Sequence, residues 1–143
     1  MAAMTYDPKL VFMSYGPAIL GDFAEGSFIT CEPDQDDYAT KRGTDGRVDY
    51  IRNIARTFTV RCRILQTSVF NDALSAARLL DLTSNTGPLP LIIKDLQGLS
   101  LQFFPQARIM GNPQLTYGDT TEAREWVFKC TNGDMFIGGN LIN

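Results

Sequence analysis

From Thr57 to Leu65 the chain reads TFTVRCRIL, and every second residue is apolar. Phe58, Val60, Cys62 and Ile64 fall on one side; Thr57, Thr59, Arg61 and Arg63 fall on the other. That is the period of a half-buried strand. The remaining apolar content also comes in short runs. Leu10 to Tyr15, Ala18 to Leu20, Ser27 to Glu32, Arg47 to Ile51, Leu91 to Leu96, Leu99 to Phe104, Leu115 to Tyr117 and Ala123 to Cys130 all read as strands. Gly16-Pro17, Gly87-Pro88 and Asn112-Pro113 punctuate them. In the last run Trp126, Phe128 and Cys130 share a face, which makes Trp126 a core residue rather than a stacking platform. An apolar tail, Met135 to Asn143, carries Gly138-Gly139.

One helix interrupts the strands. Ser68 is a suitable N-cap, and about 69–82 carries helical spacing. Val69, Phe70, Ala73, Leu74, Ala77 and Leu80 fall on one face, with Asn71, Ser75 and Arg78 opposite. Leu79 and Leu82 lie off that stripe, either as scattered surface apolars or as contacts for a neighbouring subunit. The sum is a mainly β single domain over 1–143, a sandwich or barrel with one flanking helix. Its sheet edges must close on themselves or on other copies.

Charge is sorted along the first half. Residues 25–37 hold five carboxylates (Glu25, Glu32, Asp34, Asp36, Asp37) and no Lys or Arg. Residues 41–63 hold seven basic residues (Lys41, Arg42, Arg47, Arg52, Arg56, Arg61, Arg63) with only Asp45 and Asp49. Gly43-Thr44-Asp45-Gly46 between them is a turn signal, Asp-Gly supplying positive φ. The reading is one long projecting hairpin, about 27–62, with an acidic and a basic arm. Its arms pair with each other or with a neighbour's, and exposed pairs set register and partner choice more than stability.

Chemistry has little to work with. The chain has no histidine, so the commonest general base and metal ligand is missing. No phosphate loop, dinucleotide fingerprint or metal spacing occurs, and Asp36-Asp37 lie in a polar, solvated stretch. Glu122 and Glu125, near a strand start, tend toward opposite faces. The three cysteines (Cys31, Cys62, Cys130) are far apart and read as small buried hydrophobes in a reduced compartment. No catalytic residue, metal ligand or cofactor is expected. The net charge of −3 suits neither a nucleic-acid grip nor an anionic membrane. The first residues, Met1 to Pro8, do not read as a signal peptide, and no apolar run is long enough to span a membrane.

Several stretches together resemble the tail tube proteins of contractile-tailed bacteriophages. They are Ser27-Phe28-Ile29-Thr30, Gly43-Thr44-Asp45-Gly46, Gln66-Thr67-Ser68 with Asn71-Asp72 and Leu74-Ser75, Pro90-Leu91 with Lys94-Asp95-Leu96, Arg124-Glu125-Trp126, and Gly138-Gly139-Asn140. They spread from about Tyr6 to Asn140. Val69 departs from the pattern, where Pro often opens the helix.

The resemblance implies six copies in a ring, and rings stacked into a hollow tube inside a contractile sheath, through which viral DNA passes. The chain would be made in the host cytoplasm and reside in the virion tail, with the tail sheath protein as a partner. The hairpin would contact the next ring through Glu32, Asp34, Asp36, Asp37, Lys41, Arg42, Asp45 and Arg47. A channel for DNA should not bind it, so Glu32, Asp34, Glu122 and Glu125 are the lumen-facing candidates. Secretion-system and bacteriocin tubes share the architecture, and a monomeric β-barrel binding module is the alternative of a different class.

Overall fold

The computed structural model describes residues 6–54, 56–85 and 87–139. A 3₁₀ turn, Pro8–Leu10, leads into β1 (Val11–Tyr15), β2 (Ala18–Leu20), β3 (Ile29–Pro33), β4 (Tyr38–Arg42), β5 (Val48–Arg52) and β6 (Phe58–Leu65). Then come α1 (Phe70–Ser84), β7 (Leu89–Asp95), β8 (Leu101–Ile109), β9 (Ala123–Cys130) and β10 (Asp134–Phe136). The protein is mainly β with one helix, as expected, although its strands are more numerous than the runs suggest.

The main sheet runs β2-β1-β7-β8-β9-β6-β3, with β10 added against β8, while β4 and β5 form a separate two-stranded sheet. Neighbouring strands are antiparallel throughout. β8 is the pivot. One side of it borders β7. On the other side, Ala107–Ile109 pair with β9 and 101–103 pair with β10. The chain crosses between these partners at 131–133. There Gly133 has φ of 117°, and an added Cβ would lie 2.3 Å from the Phe103 carbonyl oxygen.

The sheet folds over on itself into two leaves. The first holds β2, β1, β7, the start of β8 and β10; the second holds the end of β8, β9, β6 and β3. The Tyr15 and Phe128 rings meet across the fold with centroids 5.0 Å apart, and Phe58 and Phe104 with centroids 5.1 Å apart. The Tyr15 hydroxyl donates to Ala107 O at 3.0 Å. Met13, Val60, Cys62, Ile64, Leu91, Phe104, Trp126, Phe128 and Cys130 fill the interior. Burying a side chain of this size contributes roughly 1.5–3 kcal/mol.

α1 adds Leu74, with Phe70 and Ala77 packed beside it. The expected stripe is only partly buried: Val69 is 69% and Leu80 53% exposed. The contact face is rotated to Phe70, Leu74, Ala77 and Asp81, one face by helical spacing. Two ties fix that rotation. Asn71 Oδ1 accepts from Trp126 Nε1 at 3.0 Å, and Asp81 pairs with Arg108 at 3.0 Å. Val69 supplies no side-chain cap. Instead Ser68 Oγ accepts from Phe70 N at 3.1 Å and donates to Asp22 at 2.9 Å, so capping is done one residue earlier. Asn85 closes the helix in the left-handed region, φ 50°.

Two strand expectations change. Leu115 to Tyr117 forms no strand. Its Thr116 carbonyl accepts from the buried Arg124, whose guanidinium lies 5.3 Å from the centre of the Tyr117 ring. The run at 99–104 begins at Leu101 and continues through Pro105 to Ile109. Its register against β7 shifts between Leu89 and Leu91, and that irregularity accommodates a residue with no backbone donor. The end of the apolar tail, 140–143, and Asn140 of its quoted motif lie outside the described residues.

Among the described residues no helix is long and apolar enough to cross a membrane. The cysteines are free; Cys62 and Cys130 are buried and Cys31 is half-buried. Burial pushes the Cys31 thiol up to about 11 and those of Cys62 and Cys130 to about 12, which keeps them inert.

Candidate assembly surface

The hairpin is built in two sections. Its root is β3 against β6, from Ile29↔Cys62 to Pro33↔Phe58. Its tip is β4 against β5, from Tyr38↔Arg52 to Arg42↔Val48. Between them the ladder lapses at 34–37, 53–54 and 56–57, where Asp34 N donates to Thr57 O at 3.0 Å and Asn53 N to Asp37 O at 2.8 Å.

The turn follows the Gly-Thr-Asp-Gly signal, but only Gly46 has positive φ, 87°. Gly46 N donates to Gly43 O at 3.2 Å, and Asp45 Oδ1 accepts from Arg47 N at 3.1 Å. Asp45 thus acts through its side chain, and the loop is the longer type with a single left-handed glycine rather than a two-residue primed turn.

Charge is not divided between the two arms as expected. Lys41 and Arg42 precede the turn and belong to β4, on the same strand side as the carboxylates. The sorting therefore runs from root to tip. Glu32, Asp34, Asp36 and Asp37 sit at the root and hinge; Lys41, Arg42, Arg47 and Arg52 sit at the tip, diluted by Asp45 and Asp49. Arg47, just before β5, pairs with Asp49 two residues on at 3.1 Å. Among the described residues Asp36, Asp37, Lys41, Arg42 and Arg52 form no ion pair within the chain, and all are exposed.

Asp34 has a different role from its acidic neighbours. Its carboxylate accepts from Lys129 Nζ and, at 2.7 Å, from Thr59 Oγ1. Lys129 foremost, with the Thr57 and Thr59 side chains, holds its pKa down at about 2. Asp34 clamps the hairpin root to β9.

All residues of β4 and β5 are exposed. By strand alternation Tyr38, Arg42, Val48, Tyr50 and Arg52 share one face of the tip. Tyr50 is 76% exposed, and Ile54 beside the tip is 92% exposed. The sign pattern does not mark these tyrosines, although their spacing from Arg52 and Arg42 does.

The second leaf presents a charged outer face. Arg61 pairs with Glu32 at 3.4 Å and with Glu125 at 3.5 Å. Arg63 stands opposite Glu125 in register and donates to Glu25 O at 3.0 Å. Three of the four lumen candidates, Glu32 on β3, Asp34 just past its end and Glu125 on β9, therefore come together, interleaved with Arg61, Arg63 and Lys129. Glu122 lies apart, exposed in the loop before β9, where its backbone N donates to Gln66 Oε1 at 3.0 Å.

An open cleft of about 1030 Å³ lies between the 20–31 segment and the first leaf, floored by Leu20, Phe23, Phe28, Ile93 and Met135. Among the described residues no group of three or more metal-ligating side chains occurs.

No family model matches the chain. In sequence it is similar to structural protein ORF10 of Pseudomonas phage KPP10, with 29% identity over 144 residues, covering 95% of this chain and 83% of that protein. In fold it is similar to a sheath/tube terminator of an extracellular contractile injection system, PVC, in the extended state. The TM-score is 0.57 at 13% identity, covering 96% of this chain and all of the other. It is also similar to the tube-terminating cap of the anti-feeding prophage, with TM-score 0.56 at 11% identity and 95% of each chain covered. In sequence the chain resembles a structural protein of a phage, and in fold it resembles components of contractile injection systems.

Proposed function

We propose that this protein is a structural component of a contractile tail that assembles with copies of itself into rings, six to a ring, and stacks them into the inner tube that conducts DNA beneath the sheath. The observation that carries this reading is the hairpin tip. A two-stranded ribbon with every residue exposed is marginal in water and gains its stability from what covers it. Its Tyr38, Tyr50, Arg42 and Arg52 face has the composition of an interface centre. Root-to-tip sorting of charge supports a head-to-tail contact, in which a basic tip meets the acidic hinge of the next copy. Such a heterologous contact repeats along an axis without closing.

The charged outer face of the second leaf is the channel side in this reading. Three carboxylates offset three cations there, so no surplus of positive charge is available to release counterions from a passing duplex.

A second reading rests on a specific observation: two solved structures of like fold are a terminator and a cap of tubes. In that reading the protein closes the tube as a single ring. Negative-stain microscopy of the purified full chain, with size-exclusion chromatography, tests both. Stacked tubes support the first reading and isolated rings the second. A particle that stays monomeric at high concentration overturns both.

A further inference from the structure

The outer faces of the two leaves differ in kind. Where the second leaf is charged, the first is mainly apolar. Cross-strand register sets Phe12, Lys94, Leu101 and Phe136 in one row, and Ser14, Ile92, Phe103 and Asp134 in the next, where Ser14 is buried and Asp134 is paired with Arg56 at 3.2 Å. Leu101 is 39%, Phe103 41% and Phe136 62% exposed. α1 carries a matching orphan. Val69, Ala73, Ala76 and Leu80 lie within one narrow helical stripe, about a quarter-turn from the buried face, and all are exposed. Its two alanines make the stripe thin enough to lie close on a flat sheet.

Each surface also carries one uncommitted charge, and the signs are opposite. Lys94 lies in the apolar row of the sheet. Asp72 lies beside Ala76 on the helix, one turn before it. Neither forms an ion pair within the chain among the described residues.

We infer that these two surfaces bind each other between copies: the α1 stripe of one protomer seats on the apolar outer face of the next protomer's first leaf, with Asp72 meeting Lys94. The contact joins two different surfaces, so repeating it turns around an axis and closes into a ring when the rotation permits. This rests on the self-assembly reading and names the lateral partner surface that the hairpin does not supply. The occupant is a second copy because the same chain carries both halves of the match, in shape and in charge. Apolar area of this extent, left uncovered on a monomer, is also a liability for disordered association.

The test uses two full-length variants, Ala76→Cys and Phe136→Cys, both altered at exposed positions. They are mixed after reduction and then mildly oxidised. The expected result is a disulfide-linked heterodimer in the mixture and little crosslinking in either variant alone. Rings or tubes that form with no mixed crosslink overturn the inference and leave self-assembly standing. Absence of any association in the wild-type chain overturns both. A charge exchange gives a second measurement. Lys94→Asp should raise the concentration needed for assembly several-fold, and Lys94→Asp with Asp72→Lys should bring it back. Failure of that rescue, with both variants folded by circular dichroism, also counts against the contact.

Discussion

The indole of Trp126 donates to Asn71 Oδ1 at 3.0 Å, tying the first turn of α1 to the middle of the buried face of β9. The same Asn71 side chain donates to Leu65 O at 2.8 Å, so a single residue fixes the turn from β6 into the helix as well. Asn71→Ala removes the acceptor and leaves a Trp126 N–H with no partner at a residue only 2% exposed. The expected cost is about 2 kcal/mol, since an orphaned buried donor loses its full solvation. Chemical denaturation measures it. A double-mutant cycle with Trp126→Phe should return a coupling of about 1 kcal/mol.

Gly133→Ala should destabilise the fold by roughly 2 kcal/mol or more. The position needs φ of 117°, and a Cβ there meets the Phe103 carbonyl at 2.3 Å and the Phe104 Cα at 2.8 Å. Backbone atoms cannot swing aside as a flexible side chain can. Gly111, which has open space around it and no positive φ, is the control: Gly111→Ala should leave the melting temperature nearly unchanged.

The clamp at Asp34 has a defined pH signature. Its folded pKa is lowered to about 2 from 3.8, so its contribution is fully present above the unfolded value and is lost as pH falls through the folded one. The stability difference between wild type and Asp34→Asn should be constant above about pH 5 and shrink toward pH 2. Urea titrations across that range check it. A difference that persists unchanged at pH 2 would remove the charge of Asp34 from the explanation. Hydrogen exchange over 38–52 should quicken in Asp34→Asn, because the root then holds the tip less firmly.

How much of this could be read from the residues depends on where alternation is clean. Ala123 to Cys130 and Phe58 to Leu65 place large apolar groups at every second position against polar ones, and their strands and faces follow directly. Leu101 to Phe104 reads LQFF, apolar on both sides, so period two could not say that Leu101 and Phe103 face outward. The hairpin and its turn were legible from Gly43-Thr44-Asp45-Gly46. The direction of charge sorting was not, because Lys41 and Arg42 change sign two residues before the chain reverses. Arg124 is buried at 6% exposure, which no charged residue announces in one dimension. Asp34 looked like Asp36 and Asp37 in sequence. Only the register of β6 with β9 brings Lys129 within its reach.

That distinction separates fold from assembly at the hinge. Asp36 and Asp37 are exposed and uncommitted, so reversing both to Lys should leave the denaturation midpoint unchanged within error while impairing stacking. Including Asp34 in the reversal would confound the two effects by breaking the clamp. Each exposed pair contributes only about 0–1 kcal/mol, but in the proposed ring of identical copies the loss would repeat at every contact. The variant should therefore give shorter tubes or free rings under the microscope. If the basic tip is the partner, adding Arg42→Glu and Arg52→Glu to the reversed hinge should restore tube length. Wild-type stacking should also weaken with added salt, as charges separated by more than about 8–10 Å become screened. Tubes of unaltered length in the Asp36→Lys, Asp37→Lys variant, at low and high salt, would take the hinge out of the stacking contact.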